Sequence, residues 1–236
     1  FTRLDFLRIS LNSAFIAAVS VTLQLSTGAL AAYAFSRLRF KFREAIFLAY
    51  LATLMIPFQV LLVPLFVEMK LFGLLNTYWA AILPTMASAF GIFLMRQAFN
   101  QVPVQLDEAA RIDGAGHFRI FFQVLLPNIK PALATFGIFA FMGSWNNFLW
   151  PLVVLRKPEL QTLPVALANM QGQFITQWDV LMAGSVINSP VPYQDSAIKY
   201  ILIFLYRCPQ QYRRIYARYE NLYTLSYAAF FEIIAR

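Results

Sequence analysis

Charge and reactive side chains are scarce in this 236-residue chain. Only 13% of its residues are charged and 60% are hydrophobic, where a soluble domain carries about 25% and about 45–50%. Nineteen basic and 11 acidic residues cannot coat a water-soluble core of this size, so the solvent for most of the chain is lipid. Disorder, a solenoid and a secreted disulfide scaffold are excluded on the same grounds. The single cysteine, Cys208, can form no internal disulfide, and the single histidine, His117, leaves no His/Cys cluster for zinc. No GxxxxGK[ST] run is present to cradle a nucleotide phosphate, and neither HExxH nor GxSxG occurs. No metal, no cofactor, no catalytic residue and no ATP hydrolysis by the chain itself are expected. The net charge of +8 belongs to membrane topology rather than to a nucleic-acid partner, once its location is read.

What is abundant is long uncharged apolar sequence. A bilayer core about 30 Å thick needs about 20 mostly apolar helical residues. Four runs qualify: Ala14 to Phe35, Ala45 to Val67, Tyr78 to Met95 and Ala132 to Trp150. Pro57 and Pro64 in the second predict a kink rather than a stop. A fifth run from Val180 to Leu205 is broken by Pro190, Pro192, Gln194 and Asp195. The expected fold is an all-α, polytopic bundle of about five spans. An ion channel or ion-coupled carrier would mark its path with intramembrane charge, and the four clear spans contain none. A membrane-embedded enzyme would need paired carboxylates, an activated nucleophile or a metal cluster, none of which is visible.

Lys and Arg alternate between the loops, 13 on one side against five on the other, with Lys199 in the broken run. The positive-inside rule makes the segments around Arg37 to Arg43 and Arg96 to Lys130 cytoplasmic and the start of the chain external. An external start lacking an initiator Met reads as an internal one, with a first helix missing.

The cytoplasmic stretch Arg96 to Lys130 reads as helix, glycine turn, amphipathic helix. Pro103 suits a first helical position, Asp107 and Glu108 suit the early turns, and Gly114 and Gly116 end the helix. Phe118, Phe121, Phe122, Leu125 and Leu126 then form an apolar face that Pro127 stops. In the first helix the small Ala109 and Ala110 admit close approach of another backbone, with Glu108 and Arg111 as flanking charges. Either a partner docks there or the helix packs on its own membrane domain.

The wider spacing, Glu108-Ala109-Ala110, three residues, Gly114, nine residues, Val124, one residue, Leu126-Pro127, resembles the EAA loop of ABC-importer permeases, departing only by Val124 for Ile. At average residue frequencies such a coincidence is expected less than about once in ten thousand chains of this length. The resemblance runs from about Phe1 to Asn188 and is closest to the maltose-type carbohydrate-uptake branch. It is carried by Leu30-Ala31-Ala32-Tyr33-Ala34-Phe35-Ser36-Arg37, Met55-Ile56-Pro57, Gly73-Leu74-Leu75-Asn76-Thr77, Gly143 to Pro151 and Leu163-Pro164-Val165. The resemblance implies a multi-pass permease of the bacterial inner membrane forming half of a pore with a second, homologous permease subunit. It also implies an ABC ATPase pair that docks on the loops and hydrolyses ATP, and an extracytoplasmic solute-binding protein that delivers sugar. Glu108, Ala109, Ala110 and Gly114 would then form the coupling helix. The solute is a sugar, or alternatively a polyol, glycerol phosphate or peptide.

Trp145, Asn146 and Asn147 toward the outer end of the fourth span either line a sugar path, by ring stacking and amide hydrogen bonds, or serve the membrane interface and helix linkage. The external loop Arg156 to Asp179, with Gln161, Gln171, Gly172, Gln173 and Trp178, is either a binding-protein contact or an ordinary turn. Residues 1–189 constitute the permease domain. In residues 190–236 the composition shifts, with eight of the 11 tyrosines beyond Val191. This tail points to a changed reading frame or a divergent end, in which Tyr212 to Tyr227 would lie as a basic, aromatic segment on the membrane surface.

Overall fold

The computed structural model describes residues 6–169. The fifth expected span, Gln171 to Asp179 and the tail from 190 lie outside these residues. Helix α1, Phe6–Arg37, is 32 residues long, about 48 Å at the α-helical rise. It extends the expected span at its N-terminal end by one polar segment. Among the described residues it is the one helix long and apolar enough to cross a membrane unbroken. Small or polar residues recur on its buried face, namely Asn12, Ser13, Ala17, Ser20, Gln24, Gly28 and Ala32. Other helices pack closely against this face, as interfaces between membrane helices require.

The second span differs from its expectation. Helix α2, Arg43–Ala52, and a 3₁₀ turn, Thr53–Met55, meet α3, Phe58–Leu71, at 102°. Pro57 therefore stops the helix: Ile56 before it is extended (φ −84°, ψ 116°), as the steric demand of a following proline favours. Pro64 lies inside α3 without ending it. At the end of α3, Gly73 takes φ +68°. Its N–H donates to Lys70 O and that of Leu74 to Met69 O, the two bonds of a Schellman motif.

The third span is likewise in two pieces, α4, Tyr78–Ile82, with a 3₁₀ turn, Leu83–Thr85, and α5, Ala89–Gln101, at 47°. Ser88 caps α5 by accepting from the Gly91 N–H. Arg96, placed in the loop by its charge, is in α5 and so in the bundle. Helix α6, Val104–Ile112, follows, with Pro103 as its N-cap (ψ 134°) rather than its first helical residue.

The predicted amphipathic helix is composite: α7, His117–Arg119, a π-helical turn, Ile120–Leu125, and α8, Leu126–Asn128. The π turn widens the helix and shifts the buried set to Ile120, Phe121, Leu125 and Ile129. Phe118 and Phe122, expected inward, are 77% and 57% exposed. Pro127 does not stop this helix, which ends at Asn128. It bends by 79° into α9, Lys130–Trp145. The fourth span thus ends at Trp145 rather than Trp150, about 24 Å after Lys130. Trp150 belongs to α10, Leu149–Val154. A 3₁₀ turn, Pro158–Leu160, and α11, Leu163–Asn169, complete the described chain.

Helices α1, α5 and α9 pack together as the bundle's centre. Gly91 lets α5 meet α9, for a Cβ there would lie 2.3 Å from the Phe136 ring. At one end a buried Trp150 donates to Ala80 O (2.9 Å) and meets Phe58 edge-on. Asn12 donates to Glu159 O and Gln161 O and accepts from Tyr78. Asn76, at φ +60°, accepts from the backbone N–H groups of Arg156 and Lys157. The first part of the loop after α10 is therefore pinned.

Candidate functional site: an anchored loop helix and a polar cavity

At the basic end of the bundle, α1 and α5 cap one another. The last carbonyls of an α-helix have no partner within it. Arg37, in the last turn of α1, donates to Phe99 O (2.8 Å) and Val102 O (2.6 Å) at the end of α5. Arg96 of α5 donates in return to Phe35 O of α1 (3.1 Å). Its Nη2 also reaches both Glu44 oxygens, at 2.6 and 2.7 Å, and its guanidinium lies over the Phe47 ring. Cationic groups at these helix ends also complement the dipoles.

The loop helix α6 is rooted in this arrangement by one residue. Asp107 is its sole buried position. Asp107 Oδ2 lies 3.3 Å from Arg37 Nε, with the side chains only 4% and 6% exposed. The contact is an ion pair without hydrogen-bond alignment, and Asp107 Oδ1 is buried with no hydrogen-bond partner. A second tie joins the far side of the turn: the Tyr33 hydroxyl of α1 is 3.1 Å from His117 Nδ1, and the Tyr33 ring packs on Phe99 and Phe121.

The rest of α6 faces outward. Glu108 and Ala109 are exposed and Ala110 is half-buried, and Ile112 is 87% exposed. The helix ends in a second Schellman motif, with Gly114 N–H donating to Arg111 O and Ala115 N–H to Ala110 O. Gly114 sits at φ +78°, where a Cβ is costly. Three of the four residues singled out in the sequence thus lie together on one short turn of α6, and the fourth, Gly114, forms the defined end just beyond it. Arg37 and Asp107, which hold that helix to α1, were missed. In the sequence Arg37 reads as a topology charge and as part of the Leu30 to Arg37 stretch, and Asp107 as a dipole charge. Their pairing across 70 residues has no local signature.

The other expected site is divided. Asn147 lines a cavity of about 200 Å³ together with Gln24 of α1, Thr85 and Ser88 at the break before α5, and Ser144 of α9. Trp145 instead stacks on Phe141 and packs against the cluster of Ile9, Leu163 and Ala166. Asn146 is the exposed C-cap of α9, its N–H bonded to Met142 O. The rings of Phe90, Phe136 and Phe139 also line the cavity. Gln24 was missed, although Asn12, Ser20, Gln24 and Gly28 share one helical face at multiples of four residues. Among the described residues no group of His, Cys, Asp and Glu is arranged to hold a metal ion.

Residues 24–203 match the family described as "Binding-protein-dependent transport system inner membrane component". The arabinooligosaccharides transport system permease protein AraQ of Halalkalibacterium halodurans is 44% identical over 176 residues, 75% of this chain and 63% of that protein. The lactose transport system permease protein LacG of Rhizobium radiobacter is 37% identical over 79% of this chain and 68% of its own. The sn-glycerol-3-phosphate transport system permease protein UgpE of Pectobacterium atrosepticum is 36% identical over 77% and 66%. The chain thus spans about two thirds of the length of these curated relatives. A chain from the crystal structure of a bacterial ABC transporter involved in the import of the acidic polysaccharide alginate superposes with a TM-score of 0.69. It is 26% identical, with 84% of this chain and 72% of that one covered. The helical architecture of the described residues, the broken spans, the loop helix and these likenesses agree: the chain belongs to the family of inner membrane components of binding-protein-dependent transport systems.

Proposed function

We propose that the chain is the membrane-spanning permease subunit of an ATP-driven sugar importer, forming half of the translocation pore beside a second, related permease subunit. An ABC ATPase pair hydrolyses ATP, an extracytoplasmic solute-binding protein delivers the sugar, and α6 is the coupling helix. The observation that carries this reading is the geometry of α6: a short helical turn with Glu108 and Ala109 exposed and Ala110 half-buried, ended by Gly114 and rooted at its base by the Arg37 to Asp107 pair. Small side chains let an ATPase cleft close on the helix backbone. The buried root and the Tyr33 to His117 contact make α6 move with α1 rather than bend away from it.

When ATP draws the two ATPase subunits together, α6 follows as a rigid body and biases the bundle between inward-facing and outward-facing packings. The likeness to a glycerol phosphate permease favours a phosphorylated polyol as the second reading of the solute. The test is co-purification from bacterial membranes with the candidate ATPase and sister permease. The wild-type chain retains the ATPase; Ala109→Leu, which overfills the dock, and Glu108→Lys, which inverts its charge, lose it. Retention and normal uptake in both variants would refute the coupling role.

A further inference from the structure

The turn between α1 and α2 carries more cationic and apolar surface than the bundle uses. It reads Arg39-Phe40-Lys41-Phe42-Arg43. Phe40 and Arg43 serve the fold: the Phe40 ring packs on Phe35 at 5.8 Å, and Arg43 donates to Leu38 O and Glu44 Oε1. Glu44, the sole carboxylate of α1 and α2, is held by Arg96 and Arg43. Arg39 and Lys41 are exposed, and among the described residues neither side chain has a hydrogen bond, ion pair or ring contact. Phe42 is 72% exposed and sits at φ +60°, ψ 20°. This left-handed conformation strains a bulky residue. Folding alone would favour glycine or asparagine here, with no ring held outward.

The outward ring opens a longer apolar stripe. Phe42, Ala45, Ile46 and Ala49 stand at i, i+3, i+4 and i+7, so they share one face of α2, and all four are exposed. Phe47, on the opposite side, is buried against Phe35 and the Arg96 guanidinium. Because α2 begins the broken second span, the stripe leads from the basic turn into the apolar part of the bilayer. A helix of a protein partner would match the stripe alone, and a soluble anion the free cations alone. A phospholipid of net negative charge matches both, with a phosphate for the cations and an acyl chain for the stripe. We infer that the turn and this face of α2 form a docking surface for an anionic phospholipid. Arg39 and Lys41 meet its headgroup phosphate, Phe42 enters at the level of its glycerol, and an acyl chain lies along Ala45, Ile46 and Ala49. A choline headgroup fits less well, since its own cation would stand beside two others that no carboxylate offsets. Neither the solute nor the coupling role of α6 enters this inference.

The test uses the full chain, extracted from bacterial membranes with the partners it retains and placed in lipid nanodiscs. Cys208→Ser and Ala45→Cys leave a single thiol, beside the turn, for a bimane label. The probe is quenching by phosphatidylglycerol or phosphatidylcholine bearing a nitroxide on the acyl chain near the glycerol. With the native turn, phosphatidylglycerol reaches half-quenching at a mole fraction at least about fivefold lower than phosphatidylcholine, the preference expected of one cation at a membrane surface. With Arg39→Gln and Lys41→Gln the two lipids quench alike. Phe42→Asn keeps both cations and suits the left-handed backbone. It lowers the preference about twofold or more by removing the inserted ring, while the midpoint of a dodecylsulfate unfolding titration holds or rises. Equal quenching by the two lipids at the native turn, a comparison that needs no change in the turn itself, would overturn the inference. So would a preference that survives loss of both cations, or a lower midpoint in Phe42→Asn, which would assign the ring to packing. Quenching by neither lipid would place a protein surface over the stripe and overturn it equally.

Discussion

Breaking the ion pair at the root of α6 leaves a buried charge without its partner. At 3.3 Å and an effective dielectric constant of 20, the gross attraction of Arg37 and Asp107 is about 5 kcal/mol. Desolvation of two side chains at most 6% exposed offsets much of it. Removing one partner is a different matter, because the other remains buried. In Asp107→Leu the guanidinium keeps only the Phe99 and Val102 carbonyls, and the expected loss is about 3 kcal/mol, the lower end for a broken buried pair. Arg37→Met strands the carboxylate and costs about as much, whereas the double variant removes both charges and costs about 2 kcal/mol. The expected coupling energy is therefore about 4 kcal/mol. It is read as a double-mutant cycle from loss of helical circular dichroism on titrating dodecylmaltoside micelles with dodecylsulfate. Single-variant losses that add within about 0.5 kcal/mol would refute the pairing as the root of the helix.

Two further outcomes follow from glycines. Gly114→Val forces a β-branched residue to φ +78° and costs about 1–2 kcal/mol; nothing lies within 4 Å of the added Cβ, so the strain is purely in the backbone. Gly114→Asn, which tolerates that conformation, retains the ATPase in the co-purification assay better than Gly114→Val, and equal retention would refute the Schellman role. Gly91→Ala drives a methyl to 2.3 Å from Phe136, and such overpacking costs about 1–3 kcal/mol. The midpoint of the dodecylsulfate titration falls in Gly91→Ala and is restored by adding Phe136→Leu, whereas no rescue would place the strain elsewhere.

The apolar runs and the scarcity of charge were enough to establish a helical membrane protein, since the lipid requirement for about 20 apolar residues per span is a one-dimensional property. The loop helix and its Gly114 terminus were equally legible, because small residues and a left-handed glycine act within a few positions of one another. What the linear pattern did not contain was where a span breaks. Pro57 produced a 102° turn and Pro64 none, a difference set by how the freed backbone groups and neighbouring helices are satisfied in three dimensions. The pairing of Arg37 with Asp107, the π turn that exposed Phe118 and Phe122, and the separation of Asn147 from Trp145 were likewise decided by packing. So was the meeting of Gln24 with Asn147 around one cavity, because residues more than a hundred positions apart become neighbours only when α1 and α9 close on each other.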